Sequence, residues 1–514
     1  MRRMGVSAAD KIRPIEELGD IARRARSEGR TVVLAHGTFD LMHFGHVRHL
    51  QAAREEGDLL VVTITADAFV NKGPGRPVFQ HAIRAEMLAS LECVDYVGIN
   101  AAATAENVIA AIRPTVYVKG NDYASAADDV TGKIVDEQRA VESHGGRIVF
   151  TNEITFSSST LINRHLDIYD PTLRAFLDQQ RAADGLTAMT ALVERVRDMK
   201  VLVVGDAIVD EYRYVVPMGR SAKENMIATL YKDRELFAGG VVAAANHVAA
   251  FCREVEILTA LGSVDSHEAF LRDHLKPNVS MWAAEVGGAP TICKSRFVDQ
   301  SYLRKLFEVY VMDDTPLSGE PEERFIAAIR EKAPKADLVI VTDFGHGLIT
   351  PRVIRALTES ARFLAVNAQS NSANVGYNLI TKYPRADYIC IDAPEARLAI
   401  SDKWADIDHI ISEFLPARID CDRMIITNGR YGCVTRGPEE PLVHIPAFTR
   451  TVVDTVGAGD AFFAVTAPMV AAGAPLSQAG FIGNVAGALK VGIVGHRKSV
   501  EKGSLLKYIQ TLLK

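Results

Sequence analysis

Short apolar runs of β-forming residues alternate with helix-patterned segments twice along this chain, and that alternation restricts the fold more than any other feature. Thr31–Ala35, Leu59–Thr65, Tyr96–Ile99, Val116–Lys119 and Arg147–Phe150 make the first series, with helical patterns at His46–Glu56 and Phe79–Leu91 between them. A second series opens at Val201–Val204 and recurs at Val255–Thr259, Leu338–Thr342, Phe363–Val366, Tyr388–Ile391 and Met424–Thr427. Such alternation calls for parallel sheets covered by helices. With 514 residues, 48% of them hydrophobic, the chain can bury more than one core of this kind. The fold class expected is therefore α/β in two domains. A Rossmann-like domain covers residues 28–166, a linker helix 167–197, and a larger α/β domain 198–514, where the β-formers of Ile292–Met312 supply a small accessory sheet.

Bulk chemistry excludes several function classes. A net charge of −6 gives no basic footprint for nucleic acid. The six cysteines include no CxxC pair, which fits reduced thiols better than a disulfide frame or a zinc site. Met1-Arg2-Arg3-Met4 has no apolar stretch behind it, so no secretory signal is read. Ala461–Ala474, interrupted by Pro468, is too short to cross a bilayer. A cytoplasmic protein without membrane contact is the expectation.

Two turns carry the chemistry. After Val32–Ala35 comes Gly37-Thr38-Phe39-Asp40-Leu41-Met42-His43-Phe44-Gly45-His46. His43 and His46, three apart, share one face of a helical turn. Gly45 between them lets a phosphate approach the backbone, and a helix start adds amide donors and partial positive charge. A metal pair or a plain polar helix start would show the same spacing. The second turn is Asp454-Thr455-Val456-Gly457-Ala458-Gly459-Asp460, before an apolar helix. The amides of Gly457, Ala458 and Gly459 can form an anion nest, with Asp460 placed to take a proton from an attacking hydroxyl. No P-loop sequence of the GxxxxGK type occurs.

Gly37–His46 resembles the HxGH motif of the cytidylyltransferase-like nucleotidyltransferases. Gly57–Val62, Arg76-Pro77-Val78, Arg84, Val94–Val97, Lys119-Gly120-Asn121-Asp122-Tyr123 and Ser157–Thr160 resemble further elements of that family. The resemblance implies that His43 and His46 stabilise the transferred and leaving phosphates. Lys119 would give cationic help, Gly37, Thr38, Phe39 and Gly45 would line the nucleotide, and Ser158, Ser159 and Thr160 would hold phosphate oxygens. Lys72, in a glycine-rich loop, reads either as a mobile charge for the nucleotide or as a solvated loop lysine.

The second half resembles the ribokinase-like (PfkB) sugar kinases, whose signature DTxGAGD is matched at 454–460. By that resemblance Asp460 is the catalytic base. Asp206, Asp210, Gly239, Gly240 and Asn246 bind the sugar. Thr427, Gly429, Gly432 and Asn484 join the 457–459 turn around the nucleotide. Asp392 and Glu395, in the place of an NxxE motif, organise Mg²⁺. Arg220, Lys294 and Arg296 lie in segments similar to those of heptose 7-phosphate kinases. His346 stands where those kinases have lysine, and Asn367-Ala368-Gln369 replaces an Asp-Pro-Lys segment. Five residues, Val241–Ala245, separate the glycine pair from Asn246.

As a whole the chain resembles the bifunctional heptose 7-phosphate kinase and heptose 1-phosphate adenylyltransferases, with the two domains in reversed order. The resemblance implies ATP as phosphoryl donor, ATP or CTP as nucleotidyl donor, sugar phosphates as partners and a homodimer paired through the accessory sheet. Two alternatives stay open: a cytidylyltransferase for a polyol phosphate such as glycerol 3-phosphate, and an active transferase joined to a sugar-sensing, non-catalytic kinase-like domain.

Overall fold

The computed structural model describes residues 7–70, 72–73, 76–102, 104–120, 133–151, 169–449 and 452–514. It divides into two compact units, Met1–Leu177 with Leu506–Lys514, and Asp178–Leu505.

In the first unit β1 (Val32–Gly37), β2 (Leu59–Thr65), β3 (Tyr96–Asn100), β4 (Val116–Gly120) and β5 (Arg147–Thr151) form a parallel sheet in the order β3-β2-β1-β4-β5. Each strand lies within two residues of its expected bounds. All seven residues of β2 are buried, the mark of a strand covered on both faces. One apolar layer gathers around Val33, Leu50, Val62 and Leu88, the other around Leu18, Leu34, Val61 and Ile109. The strand order reverses beside β1, so the crevice beyond its carboxyl end is where an open sheet of this type takes a ligand. Gly37 ends β1, and α1 (Phe44–Glu55) follows it.

The single linker helix expected over 167–197 is instead two helices, Pro171–Ala182 and Gly185–Arg195. Asp184 between them takes a left-handed conformation (φ 51°), which breaks the helical run at the Asp-Gly step.

The second unit holds a nine-stranded sheet in the order β10-β9-β6-β13-β14-β15-β16-β17-β18. These are β6 (Lys200–Gly205), β9 (Glu254–Val264), β10 (Val279–Pro290), β13 (Leu338–Asp343), β14 (Leu364–Ala368), β15 (Tyr388–Asp392), β16 (Met424–Thr427), β17 (Cys433–Arg436) and β18 (Val443–Ile445). Only the last two strands pair antiparallel. The accessory sheet is larger than its sequence signal. β11 (Ile292–Asp299) and β12 (Arg304–Val311) are joined by a long hairpin, β7 (Ala207–Arg220) and β8 (Ile227–Gly240), in the order β12-β11-β7-β8. Four further helices position the site: α2 (Val241–Val248), α3 (Ala393–Ile400), α4 (Ala458–Ala471) and α5 (Leu476–Lys490). α4 is buried along nearly its whole length, including Pro468.

Candidate active sites

In the first unit, His43 is the N-cap of α1 and caps it with its ring, Nδ1 accepting from the Gly45 amide at 3.1 Å. The His43 and His46 rings stack with centroids 3.9 Å apart, and the Phe39 ring lies 5.2 Å from His46. Phe39 takes a positive φ of 48°, which turns the chain from β1 toward the helix. Asp40 is buried and holds the incoming turn: it accepts from Val78 N at 2.6 Å and from the Arg76 guanidinium at 3.0 Å. Arg84, fully buried, donates to the carbonyls of Thr38, Phe79 and Thr65 and to Asp67. It therefore acts as a pin for the strand ends.

The imidazoles here are held neutral. Burial first, then the nearness of His43, His49 and Lys72, pushes His46 down to about 3, and burial also lowers His43. Two histidines that the motif reading overlooked join them. His36 on β1 bonds Thr63 Oγ1 at 2.9 Å and is pushed to about 3; His49 bonds Thr151 Oγ1 at 2.8 Å and is pushed to about 4. The three-residue spacing of His43, His46 and His49 was the available signal. Lys119 is near enough to His36 and His49 to depress both. Its ammonium is ion-paired with Glu137 at 2.7 Å, so its charge is already partly answered. Lys72 is no solvated lysine: burial, with Lys507 next, lowers it to about 7. Ser158, Ser159, Thr160 and Asn121–Tyr123 lie outside the described residues.

In the second unit the chain turns at Gly457 (φ 72°), the N-cap of α4, and Asp460 sits in the first helical turn. A Cβ on Gly457 would run into the His496 ring. Burial pushes Asp460 up to about 6, against hydrogen bonding from Gln369 and the charge of Lys490. Gln369 Nε2 donates to Asp460 Oδ1, so the altered 367–369 segment reaches the Asp460 carboxylate through an amide.

Asp210 on β7 is ion-paired with Arg296 on β11, and His496 Nε2 stands 3.5 Å from its other oxygen. Gly239 lies directly against the Asp210 carboxylate, where a side chain would not fit, and Gly240 (φ 56°) is the N-cap of α2. Lys294 is buried with its ammonium 5.2 Å from the Tyr310 ring and 6.0 Å from Phe344. Asp206 is pushed up to about 7 by burial and by Asp343, and accepts from Phe344 N at 3.2 Å. Asp206 and His346 line a cavity of about 140 Å³ with Thr291 and Asp313. Both His346 ring nitrogens lack a hydrogen-bond partner among the described residues.

Two expected sugar ligands are elsewhere. Asn246 bonds His274 O at 2.8 Å and Lys276 N at 3.0 Å, fixing the 274–276 turn. The five residues Val241–Ala245 form the first turns of α2, and they carry Asn246 about 9 Å along the helix from Gly240. Arg220 ends β7 at the exposed tip of the hairpin, about 33 Å of extended strand beyond Asp210.

On the nucleotide side, Thr427 ends β16, and Gly429 (φ 51°) and Gly432 (φ 93°) shape the next turn, closed by Asn428 N to Gly432 O at 2.7 Å. Asn484 ties down the loop after β18, donating to Ile445 O and Pro446 O at 3.2 and 3.0 Å. Asp392 and Glu395 form a reciprocal capping box at α3: Asp392 Oδ1 accepts from Glu395 N at 2.7 Å, and Glu395 Oε2 from Asp392 N at 2.9 Å. Burial and then the Asp392 charge push Glu395 up to about 8, and burial raises Asp392 as well. Among the described residues no cluster of three or more metal-ligating side chains gathers anywhere. A magnesium ion that keeps its waters and phosphates needs only one or two carboxylates, and this mutually repelling pair fits it.

Comparison with known proteins places both halves. A model of the pfkB family carbohydrate kinases matches residues 198–503, and a cytidylyltransferase-like model matches residues 34–165. The bifunctional protein HldE of Syntrophotalea carbinolica is 42% identical over 163 residues, covering 31% of this chain and 32% of that protein. HldE of Streptomyces coelicolor is 42% identical over 149 residues, covering 29% and 31%. The chain thus spans about a third of the length of the curated relatives it matches, over its cytidylyltransferase-like part. The structure of phosphofructokinase-2 from Escherichia coli in complex with potassium aligns with a TM-score of 0.50 at 14% identity, covering 62% of this chain and all of that one, which shows a shared fold.

Proposed function

The chain belongs to the pfkB family of carbohydrate kinases, and from that premise we propose a bifunctional transferase that builds a nucleotide-activated sugar of the ADP-heptose type. In the kinase half, Asp460 takes the proton from the anomeric hydroxyl of a heptose 7-phosphate. The oxygen attacks the γ-phosphorus of ATP, ADP leaves, and a 1,7-bisphosphate results. The amides of Gly457–Gly459 face the phosphates, and Asp210, Gly239, Lys294 and Asp206 bind the sugar. Asp392 and Glu395 would hold the Mg²⁺ that accompanies ATP, which neutralises phosphate charge when bound.

In the other half, a phosphate oxygen of heptose 1-phosphate attacks the α-phosphorus of a nucleoside triphosphate, and pyrophosphate leaves. His43 and His46, neutral before the nucleotide arrives, hydrogen-bond the phosphates, and Lys119 and Lys72 add charge. Neither half offers hydrolytic chemistry, so a separate phosphatase removes the 7-phosphate between the steps.

One observation carries the reading: a buried carboxylate, Asp460, raised to about 6 at the glycine-capped start of α4, with Asp210 and Lys294 near enough to act on its charge. Incubation with ATP, CTP and a panel of sugar phosphates, followed by mass spectrometry, tests it. Bisphosphate and NDP-sugar masses are expected. Sugar binding without ADP formation would leave only a sensing domain.

The accessory sheet supports a homodimer. Phe307, Val309 and Val311, alternate residues on one face of β12, are exposed, and so are Ile227, Leu230 and Tyr231 on β8, apolar surface that a second copy would cover. Sedimentation of the intact chain tests this. No described helix is long and apolar enough to cross a membrane, and the nucleotide substrates suit a cytoplasmic site of action.

A further inference from the structure

Lys490, the last residue of α5, is fully buried, and its ammonium meets backbone rather than a carboxylate. Nζ lies 2.7 Å from Val456 O and 2.7 Å from Gly495 O. Asp454 grips the same two residues from their other sides. Its Oδ1 accepts from Val456 N at 3.1 Å, and its Oδ2 accepts from Gly495 N at 2.8 Å. The amide of each residue is thus held by a fixed anion, and the carbonyl of each by a fixed cation. Tyr212 and Lys305 complete the Asp454 shell, at 2.7 and 2.6 Å. The braced residues are neighbours of the reacting groups. Val456 precedes Gly457, the cap of α4, and Gly495 precedes His496, which packs on Gly457 and faces Asp210.

A lysine buried among carbonyls is costly to maintain. An apolar side chain at the end of α5 would avoid that cost but leave the Val456 and Gly495 carbonyls unpartnered, so the lysine is tied to how these two residues are held. We propose that Lys490 is a positioning residue of the kinase half, a built-in cation that locks residues 456 and 495 so that the 457–460 turn keeps its catalytic shape. The inference rests on the kinase reading above. Burial lowers the Lys490 pKa, while Asp454, Asp460 and Asp210 favour its charge, in keeping with a charged group surrounded by acids.

The test uses the full chain with Lys490→Met, similar in length but uncharged, and Lys490→Ala. Misplacing a catalytic turn by about an ångström costs on the order of 100-fold. Lys490→Met is therefore expected to lose kinase kcat by roughly 100-fold, with sugar KM within about threefold and nucleotidyl transfer unchanged, which certifies the fold of the other half. Lys490→Ala leaves a hole edged by two carbonyls, and ammonium chloride should restore about tenfold of its kcat where sodium chloride at equal ionic strength does not. Wild-type kcat in Lys490→Met, or a loss that simply tracks its unfolded fraction without ammonium rescue, overturns the inference. Should the wild type turn over no sugar at all, the kinase reading fails instead. Amide hydrogen exchange across 454–460 then decides this one: faster exchange in Lys490→Met supports it, and unchanged exchange sinks it.

Discussion

At the N-terminal turn a side chain caps the helix, His43 Nδ1 accepting from Gly45 N, and the imidazoles of His36, His46 and His49 are held neutral. At the C-terminal turn no side chain caps the helix. Gly457 begins it in a left-handed conformation, and ionisable side chains of both signs surround it: Asp454, Lys490 and Arg296. Both turns put amide donors where phosphate would bind, yet they differ in what they ask of a proton. Nucleotidyl transfer between phosphates needs charge stabilisation and no base, for which neutral imidazole donors suffice. Phosphorylating a hydroxyl needs a proton acceptor, the role proposed for Asp460, and a carboxyl raised to about 6 suits it at neutral pH.

The largest effect expected from this contrast comes from Asp460→Asn. Losing a positioned base costs typically 100- to 10,000-fold, so sugar-dependent ADP formation should fall by about 1,000-fold while pyrophosphate release stays intact. Equal loss of both activities would break the division of labour. His46→Ala should do the converse at smaller scale, lowering pyrophosphate release roughly 100-fold, as removal of one preorganised donor does, with ADP formation untouched.

Much of that contrast was legible in the chain. The five strands of the first unit fall within two residues of their sequence bounds because each is a short apolar run between polar turns, and the GAGD helix start follows from glycine and aspartate alone. What was hidden depends on long-range packing. The Ala207–Gly240 hairpin has an exposed outer half, so its pattern lacks a buried stripe. Asn246 matched a sugar-binding motif, but helical geometry over Val241–Val248 turned it onto the 274–276 turn. Gln369 and Lys490 are 91 and 34 residues from their partners Asp460 and Val456, and no local pattern announces either contact.

Gln369 offers a finer probe of the base. Its amide opposes the burial that raises Asp460, so Gln369→Leu should push that carboxyl above 6 and leave it protonated more often at neutral pH. Kinase kcat is expected to fall about tenfold at pH 6.5, with its acid limb displaced upward and much of the rate recovered at pH 8. A uniform loss at every pH would assign Gln369 to geometry alone and weaken the case for a tuned acid.

The smallest effect is a difference in stability between the units from pH 7 to pH 5. In the first, His36, His46 and His49 are neutral when folded but protonate near 6.5 when unfolded, so the unfolded state binds more protons and stability falls as pH drops. Each contributes at most about 1.4 kcal/mol per pH unit in that window. In the second unit the buried His247, His346 and His496 act in the same sense. Asp206, Asp460 and Glu395, raised when folded, act in the opposite one, since there the folded state holds the extra proton. Three imidazoles and three carboxyls nearly offset, while among the described residues the first unit has imidazoles without raised carboxyls to balance them. Asp454, held near 2, is silent above pH 5 in either state. Calorimetry should therefore resolve one transition that moves to lower temperature on acidification and one that scarcely moves. Parallel shifts of both would mean that the acids around Asp460 ionise as freely in the folded chain as in the unfolded one, and Asp460 would then lack the raised basicity that sets its turn apart from the histidine turn.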